Sequence, residues 1–105
     1  MPTYVTLVKW TEQGIKGIKD FPSRFEEAGK AMEAMGGKFL SAYVTMGPYD
    51  MVVVGEGPND EAASAAALAI ASQGNLQTTT MRAFSPAEFA KILKKVPGLA
   101  PSPES

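Results

Sequence analysis

Two strongly apolar runs, Phe39 to Met46 and Met51 to Val54, flank the segment Gly47-Pro48-Tyr49-Asp50. Glycine, proline and aspartate so placed mark a chain reversal, and the two runs predict a β-hairpin. Successive residues of a strand point to opposite faces, yet large apolar side chains here occupy odd and even positions alike. Such a hairpin needs cover on both faces. One face can take helices of the same chain. The other needs a further layer, which a chain of 105 residues is too short to supply after building its own core. The expected partner is the chain itself, as a homodimer or higher homo-oligomer.

The remaining elements follow from local signals. Thr3 to Trp10, rich in β-branched and aromatic residues, reads as a first strand, and Thr11 as the cap of a short helical turn from Glu12 to Lys19. Asp20-Phe21-Pro22 reads as a break, with Ser23-x-x-Glu26 as a capping box opening a longer helix. Phe25, Ala28, Gly29, Met32 and Met35 share one face of that helix, which Gly36-Gly37 ends. An alanine-rich helix, capped by Asn59 or Asp60, runs to Gln73 and closes at Gly74. Leu68 and Ile70 point in different directions around it, so it is expected to touch two surfaces. Asn75 to Phe84, with three consecutive threonines, reads as a fourth strand. Ser85-Pro86-Ala87-Glu88 opens a last helix with Phe89, Ile92 and Leu93 on its apolar side. The order β-α-β-β-α-β plus a helix is an α+β, ferredoxin-like plan, with both crossover helices on one side of a four-stranded antiparallel sheet. Residues 1–96 read as one domain and 97–105 as a disordered Pro/Ser tail.

Composition excludes much chemistry. Cysteine and histidine are both absent, which removes thiol nucleophiles, Cys/His zinc sites, Ser-His-Asp triads and haem on a proximal histidine. No acidic loop of calcium-binding spacing is present, and no cofactor or metal is expected. Ten Lys+Arg against eleven Asp+Glu give a net charge of −1, with the bases scattered among acids. Neither a nucleic-acid partner nor base stacking on strand aromatics is expected. Met1-Pro2-Thr3-Tyr4-Val5 does not open a secretion signal, and Ala62 to Ala71 is too short to span a membrane. The expected location is cytoplasmic.

In the ferredoxin-like plan Trp10, the Gly47–Asp50 turn, Asn75 and Gln77 meet at one end of the sheet. Trp10, Tyr49, Asp50, Asn75 and Gln77 are therefore the candidate polar rim of a small apolar pocket. The structural reading of the same residues is that Gly47 and Pro48 shape the turn, Asp50 bonds turn amides, and Trp10 packs. Lys38, Glu56, Asp60 and Arg82 gather at the opposite end, where a lone base is ordinarily ion-paired. Tyr4 and Tyr43 are expected on the open face, against a partner's side chains. Met32, Met35, Met46 and Met51 read as core filling. Gly55-x-Gly57 lacks the third glycine of a dinucleotide fingerprint.

Gly47, Tyr49 and Asp50, then Glu56-x-Pro58-x-Asp60, Thr11-x-x-Gly14 and the run from Gly74 to Phe84 together resemble the GYD domain family, small bacterial proteins without an assigned function. The resemblance spans Tyr4 to Leu93 and departs at Asn59, where the family more often has proline followed directly by aspartate. It implies a dimeric α/β-barrel in which two ferredoxin-like sheets face each other, and it brings no catalytic residues. Barrels of that type include cofactor-free monooxygenases, haem-degrading enzymes, lactone isomerases and ligand-sensing modules, so fold does not decide function. Two functions are expected to compete. One is a homo-oligomeric module without catalysis that binds a small metabolite. The alternative is a cofactor-independent monooxygenase or isomerase using Trp10, Asn75 and Asp50, with Asp50 as base.

Overall fold

A computed structural model describes residues 1–99. Its strands are β1 (Thr3–Trp10), β2 (Lys38–Val44), β3 (Met51–Glu56) and β4 (Leu76–Ala83), and its helices α1 (Glu12–Lys16), α2 (Phe21–Ala34), α3 (Asp60–Ala71) and α4 (Pro86–Leu93). The strands form one antiparallel sheet in the order β2-β3-β1-β4, the ferredoxin-like arrangement expected. Val8 pairs with Met51 on one side and Thr78 on the other, and Thr6 with Val53 and Thr80. These even positions of β1 face α2 and α3. The core cluster is Val8, Met51 and Val53, with Trp10, Phe21, Phe25, Phe39, Ala42 and Leu76 packed around it.

The two capping boxes met different fates. Ser85 is a true cap: its hydroxyl accepts the Glu88 N–H at 3.1 Å while the Glu88 carboxylate accepts the Ser85 N–H at 2.9 Å. The Ser85 backbone N–H foremost, and then the Ser85 hydroxyl, hold the Glu88 carboxyl below the usual carboxylate range. Ser23, by contrast, lies inside α2 and donates its hydroxyl to the Asp20 carbonyl. The helix starts earlier because Pro22 falls in its first turn, where the missing N–H has no acceptor to lose. The expected turn to Lys19 is divided at Gly17 into α1 and a short 3-10 stretch, Ile18–Asp20. Asn59 is the cap of α3, accepting the Ala62 N–H at 2.8 Å.

A bulge between Phe39 and Ser41 shifts the parity of β2. Phe39 pairs with Gly55 and Ala42 with Val53, so two residues three apart share the helix-covered face. Tyr43, opposite Val52, then lies on the helix-free face and is 67% exposed. Pairing puts Val5, Leu7, Val52, Val54 and Met81 on that same face. Met46, expected in the core, is 98% exposed because β2 ends at Val44. Tyr4 is a second correction. An even position of β1, it is buried on the helix side, where its hydroxyl donates to Asp60. Arg82 joins Asp60 at 3.7 Å, and Lys38 pairs with Glu56 at 3.6 Å.

The chain is long for its size, 54 × 31 × 19 Å with a radius of gyration of 16.6 Å, against about 13 Å for a compact domain of this length. Among the described residues no other element packs extensively along α4, and its Phe89 and Leu93 stay exposed. The tail expected from residue 97 opens with a turn, Leu99 N–H to Val96 carbonyl; the rest of it lies outside the described residues.

Asn59→Ala is expected to cost about 1 kcal/mol in urea unfolding and Ser23→Ala less than about 0.5 kcal/mol; equal costs would contradict the assigned helix starts. The hydrogen bond to Asp60, and then burial, hold the Tyr4 phenol above its ordinary value of 10.0. The folded state therefore keeps the proton longer, and this contribution is intact below pH about 10 and lost as pH rises beyond it. Urea midpoints measured from neutral to strongly alkaline pH should fall less steeply in Tyr4→Phe than in the native chain.

Candidate functional site

Between the sheet and the two crossover helices lies a cavity of about 380 Å³. Its floor is Thr6, Val8, Met51, Val53 and Thr78. One wall comes from α2 and the aromatic residues beside it, the other from Ala66, Ala69 and Ile70 of α3. Trp10 stands edge-on to Phe21 with ring centroids 5.3 Å apart, Phe21 stacks on Phe25 at 5.7 Å, and Phe25 on Phe39 at 5.3 Å. The space exists because α3 supplies methyl groups where a packed helix supplies branched side chains. Arg24, Glu27, Gln73 and Asn75 bring polar groups to the lining.

Of the five sequence-derived rim residues, Trp10 and Asn75 line this cavity, and Tyr49, Asp50 and Gln77 do not. Gln77 pairs with Lys9, an odd position of β1, and so belongs to the helix-free face. The Lys9 ammonium lies 5.4 Å from the centre of the Tyr49 ring. Asp50 was expected to bond its own turn or to stand free as a base. It does neither: its carboxylate accepts the Trp10 backbone N–H at 2.9 Å, and its own N–H donates to the Val8 carbonyl at 2.8 Å. Asp50 thus continues the β1–β3 ladder past Met51 by one side-chain bond. The turn closes through Thr45, whose N–H donates to the Asp50 carbonyl and whose hydroxyl donates to that of Tyr49. Gly47, at φ 121°, takes a backbone conformation that side chains disfavour.

Asn75 is held by α1. The Thr11 N–H donates to its carbonyl at 3.1 Å, and Gln13 Nε2 to its side-chain oxygen at 3.0 Å. Thr11 also donates its hydroxyl to Gly74 and accepts the Gly14 N–H at 3.0 Å. Gly14 lies so close that a Cβ there would collide with the Asn75 carbonyl oxygen, which is the physical content of Thr11-x-x-Gly14. Sequence reasoning missed Thr6, Arg24, Gln73 and Thr78 as lining residues. The alternation of Thr78 and Thr80 opposite an alanine helix was the available signal. Among the described residues no group of three or more acidic side chains could hold a metal ion, and no helix is long and apolar enough to cross a membrane. Gly14→Ala is expected to cost about 1–3 kcal/mol and to disturb the Asn75 amide resonance, while Gly47→Ala should leave that resonance in place.

The model of the GYD domain family matches residues 4–93. The chain is 32% identical over 95 residues, 90% of its own length and 100% of the relative's, to a Thermus thermophilus protein named glutamine synthetase and cystathionine beta-lyase binding protein. Among solved structures it is similar to TTHA0845 of Thermus thermophilus, with TM-score 0.52 and 22% identity over 81% of this chain and 95% of that one. FFRP-DM1 aligns with TM-score 0.54 and 22% identity over 80% of this chain and 100% of its own. The hypothetical protein PHS023 of Pyrococcus horikoshii aligns with TM-score 0.52 and 23% identity, over 81% and 92%. At such identities the structural likeness speaks for the fold alone. The family match covers nearly all of the described chain, and on that ground the chain belongs to the GYD domain family.

Proposed function

We propose that this chain is a self-associating binding module without catalysis. Two copies close their helix-free sheet faces on each other, and each holds a small metabolite between its helices and its sheet. The observation that carries this reading is the face formed by Val5, Leu7, Val52, Val54, Tyr43 and Met81, where the buried apolar residues among those described are only Tyr4, Val8, Met51, Val53 and Ala66. Charges stand only at the ends of that face, Lys9 at one and the Lys38–Glu56 pair at the other. A contiguous apolar patch with a charged border is the pattern of an association surface. The projecting α4, with Phe89 and Leu93 exposed, suits an arm that packs on the second copy.

Oxygenation or isomerisation without a cofactor is the weaker reading. Asp50, its proposed base, is bonded to the Trp10 amide and stands outside the cavity lining. The Thermus thermophilus relative is named for binding glutamine synthetase and cystathionine beta-lyase, and by likeness a protein partner is a further role for this chain. The outer side of α3, where Leu68 is 71% exposed and no charge occurs from Ala62 to Gln73, is left free for such a partner.

Size-exclusion chromatography with light scattering at micromolar concentration is expected to return twice the chain mass or a multiple of it. Leu7→Glu and Val52→Glu should shift the mass to that of one chain while circular dichroism keeps its helix and strand signal. A folded native chain running as a stable monomer would overturn the proposal.

A further inference from the structure

We infer that the free edge of β4 is a second self-association surface. There β4 of one chain pairs antiparallel with β4 of another, joining their sheets into one and setting their α3 helices side by side. The contact uses neither the helix-free face proposed above nor the cavity.

Both outer strands of the sheet, β2 and β4, carry unpaired amides and carbonyls along one border, and only β2 is guarded. It has Lys38 and the bulge after Phe39. β4 has no lysine, no proline and no bulge; it pairs with β1 from Leu76 to Ala83 without a shift of register. Its Gln77, Thr79, Thr80 and Met81 are exposed. An edge of that kind is a template for a further strand. Because the Thr11 N–H donates to the Asn75 carbonyl, alternation turns the backbone groups of Gln77, Thr79 and Met81 toward β1. Those of Leu76, Thr78, Thr80 and Arg82 therefore point outward.

The residues on that edge select a copy of the chain as the added strand. With Thr79 opposite its own counterpart, Thr78 meets Thr80 of the copy and Leu76 meets Arg82, so every outward N–H and C=O finds a partner. A slip to the next bonded register leaves one end of each strand unpaired. Thr6 and Thr80 already form a cross-strand hydroxyl pair at 3.1 Å, and Thr78 with Thr80 repeats that kind of pair between chains. The one charge on the strand, Arg82, lies far from the two-fold axis and is held by Asp60 of its own chain at 3.7 Å.

α3 fits the same axis. Ala62, Ala66 and Ile70 are turned to the sheet, and Ala69 and Gln73 to the space beside α2. At 3.6 residues per turn the flank beyond β4 then carries Ser64, Ala67 and Ala71, all small, below Asp60 with its link to Arg82. Strands stand about 4.8 Å apart, so two helices on four strands repeat at about 10 Å. A sheet continued through β4 sets the copy's α3 at about the distance at which helices pack.

The two-fold axis of the edge pairing is normal to the sheet, and that of the face joining lies in its plane, a combination that closes on four chains. Two face-joined pairs meet through two edges at once, and each contact raises the effective concentration of the other. A lone edge contact is too small to hold at micromolar concentration, so Leu7→Glu still runs there as one chain.

Light scattering of the native protein is expected to return the mass of four chains. Thr80→Pro, which removes an outward N–H, and Ala71→Arg, which fills the α3 flank, should each return two chains with unchanged circular dichroism. Leu68→Arg, on the side of α3 away from the sheet, should keep four. Hydrogen exchange reads the edge itself. The Thr78 and Thr80 amides should be slow in the native protein and fast in Ala71→Arg, with Gln77, Thr79 and Met81 slow in both. Should Thr80→Pro fail to fold, Ala71→Arg decides.

A native protein of two chains with fast Thr78 and Thr80 amides would overturn this inference and leave the face joining standing. Four chains in Ala71→Arg would overturn it as well. A native protein of one chain at micromolar concentration that protects Thr78 and Thr80 at millimolar concentration would remove the face joining and uphold the edge.

Discussion

β1 is hydrogen-bonded along both edges, to β3 and to β4, and both faces of the sheet are referenced to its parity. Its even side chains, Tyr4, Thr6, Val8 and Trp10, define the surface on which α2 and α3 rest. Its odd side chains, Val5, Leu7 and Lys9, define the face opposite α2 and α3. A shift of one residue in the pairing would exchange the two sets and destroy both the core and the apolar opposite face together. Asp50 guards against that shift. By engaging the Val8 carbonyl and the Trp10 amide it pins the end of the ladder where β1 runs out of strand partners on the β3 side.

The fold was legible because its signals are local and redundant. Apolar runs, a glycine turn, Asn59 and the Ser85 cap each specify a boundary without help from the rest of the chain. Ser23 misled because a capping box is only a spacing, and Pro22 allowed the helix to begin before it. Tyr4 and Tyr43 were assigned to one face although only Tyr43 lies there. β1 and β2 are not consecutive neighbours in the sheet, and the bulge after Phe39 resets the count in β2, so parity could not be carried between them from the sequence. The candidate site was read in part. Trp10 and Asn75 both line the cavity because the topology brings the ends of β1 and β4 together. Tyr49 and Gln77 were misplaced because the same end of a sheet has two sides.

The cavity is a consequence of how α3 is composed. Alanine favours the helix itself and lets the backbone come near the sheet, but it fills little volume, and threonines beneath it fill little more. A chain under pressure for stability alone would place leucine at such positions. Retaining methyl groups opposite a row of aromatic rings keeps a space open at the expense of packing, as binding sites commonly do.

The irregularity in β2 also bears on how far assembly can proceed. β2 is one of the two outer strands, and an outer strand with a straight run of free amides and carbonyls invites another chain to add alongside, without end. The extra residue at Leu40 bends that border and breaks the spacing a newcomer would have to match. Growth by strand addition is thereby discouraged on this side. The proposed joining of two copies uses the broad surface of the sheet instead, a surface that one partner would close.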